Sequence, residues 1–195
     1  IRDRKWTAQA QFTGYYVADK LGFYKEEGID VCVQHPAISE SSFSFMEKGR
    51  APVVIMNLSY AFMERLAGAR VVNVMQTSQE NSLMLISHSP LKGEESLRNQ
   101  KIAVWNHLSQ KLLDRLAEHY ALKQVEWIRF NSGVNVFLSG AADPCLVGSY
   151  NEYLQLSEYG MNVDSIYSIR LADYGYNLPE DGLYVTEEFY NQYPE

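Results

Sequence analysis

The chain has 195 residues, 46% hydrophobic and 13% aromatic, with 14 tyrosines and a formal net charge of −7. That length allows one large domain or two small lobes, and no apolar run approaches the roughly twenty residues of a membrane-spanning helix. The acidic balance, with Lys and Arg scattered, excludes nucleic acid as a partner, because phosphate neutralisation needs clustered basic residues. In chain order the patterning predicts a strand near 3–9, a helix near 13–20, a strand near 30–35, a helix near 40–48, a strand near 52–56 and a helix near 58–67. Strands near 70–77, 82–88 and 101–105 precede a helix near 108–120, where Leu108, Leu112, Leu113, Leu116 and Tyr120 recur at helical spacing and Lys111, Asp114, Arg115 and Glu118 face out. A strand near 125–130, a helix near 133–139, a strand near 144–148, a helix near 150–158, strands near 165–170 and 182–186 and a helix near 187–193 complete the order. Such alternation predicts an α/β fold with parallel strands and helical crossovers.

The first junction concentrates chemistry. Ala8, Ala10 and Phe12 alternate with Gln9 and Gln11, the period of a strand end, and Thr13 is a helix-capping residue. Gly22 and Gly28 are placed to end helical turns. Aromatic faces (Trp6, Tyr15, Tyr16) beside side-chain amides suit a planar, nitrogen-rich small molecule docking at a strand's carboxyl end. Cys32 and Cys145 are far apart in sequence, form no Cys-x-x-Cys pattern and are expected as small buried apolar residues. His35, His88, His107 and His119 are dispersed and carry no metal-ligand spacing, so no metal and no cofactor is expected.

Two breakpoints divide the chain: Ser87-His88-Ser89-Pro90 with the polar run after it, and Asp173 to Gly182 with its Gly and Pro residues. They set 88–181 apart from 1–87 and 182–195.

Gly-Phe-Tyr-Lys-Glu-Glu-Gly-Ile-Asp-Val at 22–31, Lys101-Ile102-Ala103-Val104-Trp105 and Tyr150-Asn151-Glu152-Tyr153-Leu154 resemble type 2 periplasmic substrate-binding proteins of ABC importers. The resemblance is to the branch that binds thiamine-pyrimidine precursors and shares its fold with the thiamine pyrimidine synthases; related branches bind sulfonates and other small organic molecules. It implies a two-lobe fold with a hinged interlobe cleft, lobe 1 at 1–87 plus 182–195 and an inserted lobe 2 at 88–181 with the crossings as the hinge. It also implies Cys32 and Cys145 on strands of different lobes, without a disulfide, and a location that is periplasmic, or extracellular and lipid-anchored. The partners implied are a small-molecule ligand and a membrane ABC permease. Full-length members run further, so the C-terminal part of lobe 1 is expected to be missing, with self-association through exposed lobe 1 surface.

The expected ligand contacts from lobe 1 are Trp6, Gln9, Gln11, Tyr15, Tyr16, Asn57 and Ser59, beside Leu58 and Tyr60. Asn57 and Ser59 are equally good helix N-caps. From lobe 2 come Trp105, Asn106 and His107, in a turn bulkier than the glycine-rich one of the family, then Tyr150, Asn151 and Glu152. Glu152 suits the first turn of a helix, and the resemblance implies that its carboxylate pairs with the amino edge of an aminopyrimidine. Asp173 and Tyr174 are further candidates near the second crossing.

Three function classes follow. The first is a non-catalytic solute-binding protein, and the second is the same module as the sensing domain of a membrane receptor or histidine kinase. The third is a pyrimidine synthase, which would hold pyridoxal phosphate through a lysine and use a histidine one helical turn later. By register those positions are Met56 and Tyr60, which can form no Schiff base and carry no imidazole. The region 173–179 also lacks the cysteine-rich run of those enzymes.

Overall fold

The chain's contacts fall into two groups: residues 1–81 with 178–195 form one unit, and residues 82–177 form the other. A computed structural model describes residues 2–3, 10–35, 40–91, 97, 100–105, 114, 117–118, 125–131 and 133–194. Of the predicted site residues, Trp6, Gln9, Asn106 and His107 lie outside the described residues, as does most of the helix expected over 108–120.

Unit 1 begins with β1 (Arg2–Asp3) and a 3-10 turn over Ala10–Phe12. Helix α1 (Thr13–Leu21) follows, and its cap Gly22 sits at φ 83°, a left-handed conformation that glycine enters without steric cost. Helices α2 (Phe23–Glu26) and α3 (Ser42–Glu47), strand β2 (Val53–Asn57), helix α4 (Leu58–Leu66) and strand β3 (Val71–Gln76) complete the first pass. After the second unit the chain returns as β9 (Asp181–Thr186) and α7 (Glu187–Gln192). The sheet order is β1-β2-β9-β3, with β1 parallel to β2 and β9 antiparallel to both its neighbours. Val54, Met56, Val71 and Tyr184 from the strands meet Phe45, Met46 and Ala61 from α3 and α4 in its core. Phe62, Met63 and Leu66 on α4 remain exposed.

Unit 2 contains β4 (Leu83–Ser87), β5 (Lys101–Trp105), β6 (Glu126–Phe130), α5 (Asn135–Leu138), β7 (Cys145–Gly148), α6 (Glu152–Glu158) and β8 (Tyr167–Arg170). The order is β6-β5-β7-β4-β8; β5 is parallel to β6 and β7, and β4 is antiparallel to β7 and β8. Strand β7 is buried along its whole length, as befits a central strand covered on both faces. Ile86, Val104, Phe137, Val147 and Leu156 are almost fully buried in the core.

Four expectations are corrected. The sheets are mixed rather than parallel, because β4 and β9 run against their neighbours. The strand expected at 30–35 does not form; residues 29–33 are irregular and Gln34 makes a single bridge. Cys32 is therefore exposed, with its Sγ accepting from Gln34 Nε2 at 3.1 Å, whereas Cys145 is buried; the two are not joined in a disulfide. Finally, Phe12 rather than Thr13 occupies the α1 cap position, without a side-chain cap.

The unit limits also differ from the expected 87/88 and 181/182, falling at 81/82 and 177/178. Hydrogen bonding is the reason. Strand β4 pairs on one side with β7 (Leu83 opposite Gly148) and on the other with β8 (Leu85 opposite Ile169), which commits it to unit 2. Glu180 and Asp181 bond to Thr77 and Ser78, which commits them to unit 1.

Candidate functional site

In unit 1 the polar groups converge where β2 ends and β9 begins. Asn57, the last residue of β2, caps α4: its Oδ1 accepts from Ser59 N–H at 3.1 Å and Ser59 Oγ at 2.7 Å. The capping role thus engages both residues. Opposite Asn57 in the β2–β9 register lies Asp181, a buried acid. Gln11, in the turn before α1, donates from Nε2 to Asp181 Oδ2 at 3.2 Å. The Asp181 carbonyl oxygen accepts from Thr77 N–H and Ser78 N–H at 3.0 Å, Thr77 Oγ1 at 2.7 Å and Gln76 Nε2 at 2.9 Å. Leu58 N–H donates to the neighbouring Glu180 carbonyl at 2.7 Å. Backbone and side-chain donors of residues 76–78, with Leu58 N–H on Glu180, therefore fix the backbone at the acid before any ligand is considered.

Gly182, next in the strand, allows this crowding: a Cβ there would stand 3.0 Å from Asn73 Nδ2, Gln76 Oε1 and the Met75 carbonyl. Asn73 Nδ2 donates to Gln76 Oε1 at 2.7 Å and to Tyr184 OH at 3.1 Å. Burial pushes the Tyr184 phenol above its ordinary value; the Asn73 hydrogen bond opposes this, and the Asp181 charge adds to it.

The two tyrosines of α1 divide. Tyr16 hydroxyl bonds His35 Nε2, and the His35 ring lies 5.7 Å from both the Tyr16 and Phe12 rings. Tyr15 is half-buried, with its hydroxyl shielded from solvent.

In unit 2 the group forms at the carboxyl end of β7. Glu152 opens α6, is 3% exposed, and accepts from Gly148 N–H through Oε2 at 3.1 Å. Tyr150 lies beside it: the position of a Cβ on Gly148 is 3.2 Å from Glu152 Oε2 and 3.8 Å from Tyr150 Cζ. Asn151 Oδ1 accepts from Gln155 Nε2 at 2.9 Å, so its side chain braces the helix. Beneath them the Cys145 thiol is pushed up to about 12, by burial first and then by the Glu152 and Asp143 charges. Trp105 belongs to the core, 7% exposed and 6.3 Å from the Phe130 ring. The exposed Asp173, a further candidate, shares an open depression of about 640 Å³ with Met84, Ser168, Ile169 and Arg170, and none of the expected ligand contacts lines it.

Two sets thus emerge, Gln11–Asn57–Asp181 in unit 1 and Gly148–Tyr150–Glu152 in unit 2. Sequence reasoning missed Asp181. Its signal, an acid one residue before a strand glycine, becomes meaningful only when the strand pairs with β2.

A family model described as NMT1/THI5 like matches residues 9–195. The chain belongs to the NMT1/THI5-like family. Relatives of this NMT1/THI5-like chain include the 4-amino-5-hydroxymethyl-2-methylpyrimidine phosphate synthase THI13 of Saccharomyces cerevisiae, 19% identical over 79% of this chain and 47% of that protein. The riboflavin-binding protein RibY of Chloroflexus aurantiacus is 27% identical over 95% of this chain and 54% of its own length. The chain spans about half the length of these relatives. Among solved structures, the periplasmic aliphatic sulphonate binding protein SsuA of Escherichia coli superposes with a TM-score of 0.71 at 14% identity, covering 98% of this chain and 63% of that one. The NMT1/THI5-like chain therefore has the α/β fold of two-lobe periplasmic binding proteins.

Proposed function

We propose that this chain is the binding part of an extracytoplasmic solute-binding protein that captures a small planar nitrogen heterocycle, of the thiamine-pyrimidine class, for delivery to an ABC permease. The observation that carries the proposal is the Glu152 carboxylate at the carboxyl end of β7, oriented by Gly148 N–H with Tyr150 beside it. A carboxylate held by one oxygen keeps a second for an exocyclic amine, and such charge-assisted pairs are among the stronger hydrogen bonds. Within unit 2, Tyr150 and Asn151 are the further candidate contacts beside Glu152; Gln11, Tyr15, Tyr16 and Asn57 are the candidates within unit 1. Two relatives support the ligand class, since their names specify a pyrimidine and a flavin.

Binding rather than synthesis fits the residues at the cofactor positions. Met56 is 1% exposed within β2, a core side chain, and Tyr60 packs against the same core. Neither offers an amine or an imidazole.

Calorimetry with 4-amino-5-hydroxymethyl-2-methylpyrimidine tests the proposal. Glu152→Gln should weaken binding roughly tenfold to a hundredfold, the worth of one charge-assisted hydrogen bond. Binding of aliphatic sulphonates in place of pyrimidines and flavins, or unchanged pyrimidine affinity in Glu152→Gln, would refute it.

A further inference from the structure

The Gln11–Asp181 pair has a consequence for which ligands unit 1 accepts. A side-chain amide is two-faced: its NH2 donates and its oxygen accepts, and the local hydrogen bonds decide which end points where. An ionised carboxylate only accepts. Asp181 is held by four donors on its own carbonyl and by Leu58 N–H on the preceding one, and its Oδ2 faces Gln11 at 3.2 Å. Only the Gln11 NH2 can stand there. The amide oxygen is then directed to the opposite side of the group. That atom, Oε1, is shielded from solvent and receives no hydrogen bond among the described residues. Buried acceptors of this kind normally find a donor.

We propose that Asp181 is a positioning residue that locks the Gln11 amide, so that unit 1 presents Gln11 Oε1 as an acceptor and selects ligands bringing a hydroxyl or N–H donor there. The inference rests on the reading of the chain as a small-molecule binder, and concerns the polarity of unit 1 alone. On the pyrimidine probe that donor is the 5-hydroxymethyl group. An anionic head group, which brings acceptors alone, meets an amide oxygen with a carboxylate behind it and is rejected. Asn57 belongs to the same strand end but does not set this polarity, because its Oδ1 is committed to the α4 cap.

The test has a ligand-free arm and a ligand arm. In the first, nitrogen-15 NMR of the Gln11 side-chain amide is compared between the wild-type chain and Asp181→Asn, a near-isosteric change whose amide can face Gln11 either way. The wild-type chain should show one Gln11 amide proton shifted downfield and exchanging slowly, and the variant should lose both features. An identical Gln11 signature in the two proteins would overturn the lock. In the second arm, calorimetry compares 4-amino-5-hydroxymethyl-2-methylpyrimidine with 4-amino-2,5-dimethylpyrimidine, which lacks only the hydroxyl. The wild-type chain should prefer the hydroxylated probe by roughly tenfold, the scale of one buried hydrogen bond. Asp181→Asn and Gln11→Leu should each bring that ratio towards one while keeping the dependence on the amino group. Equal losses for both probes, with the ratio intact, would make Asp181 merely structural and overturn the inference. If neither pyrimidine binds the wild-type chain, the proposed ligand class fails, and the NMR arm still decides the lock by itself.

Discussion

Replacing Glu152 separates its part in folding from its part in binding. Glu152→Ala removes the acceptor of a buried N–H at the end of β7. Leaving that donor unpaired costs about 1–3 kcal/mol, and the lost methylene adds about 0.8 kcal/mol. Some of this returns, because a carboxylate only 3% exposed is no longer held out of water. The expected net loss is about 2 kcal/mol. Glu152→Gln keeps an acceptor of the same size and gives up only the charge assistance, so it should lie within about 1 kcal/mol of the wild-type chain. Urea unfolding followed by tryptophan fluorescence reads the difference directly, since Trp105 and Trp127 pack in the unit 2 core and report on that unit. The same pair of variants acts on Cys145: loss of the Glu152 charge should lower its pKa, though burial, the larger cause, keeps it above the ordinary value. Equal destabilisation by Ala and Gln, or an unchanged unfolding midpoint in Ala, would refute the claim that Gly148 N–H depends on this carboxylate.

The cysteines should differ sharply towards a thiol reagent. Exposed Cys32 should label in the native protein, and Cys145 only after unfolding, because burial holds it as the unreactive thiol. The sign for stability follows. Above pH 9 the unfolded chain releases the Cys145 proton while the folded chain keeps it up to about 12, so stability should fall with pH across that window, and less steeply in Cys145→Ala. Gly182→Ala should destabilise the chain by about 1–3 kcal/mol, since the added methyl meets a backbone carbonyl and two amide groups at 3.0 Å; an unchanged melting temperature would show that β3 yields at no cost.

Much of the fold was legible because its signals are local. The strands at 52–56, 101–105 and 144–148 and the helices at 13–20 and 58–67 stand within a residue or two of expectation, since apolar runs and glycine stops act over a few neighbours. The segment 30–35 misled for the same reason: Val31 and Val33 alternate like strand residues, but no strand among the described residues takes them into a full ladder. Asn57 was legible as a cap and Glu152 as a first-turn acid. Trp105 was expected among the ligand contacts, and only its neighbours put it inside the core.

The residue order by itself determined the element types, the α/β class, the family and the acid at the start of α6, because these depend on short-range periodicity and short motifs. The direction of β4 and β9, the unit limits and the Gln11–Asp181 bond across 170 residues of chain depended on which strands hydrogen-bond to which. Pairing of that kind is non-local: a carboxylate gains a role from whatever the fold sets opposite it, and nothing in its immediate neighbours announces that partner.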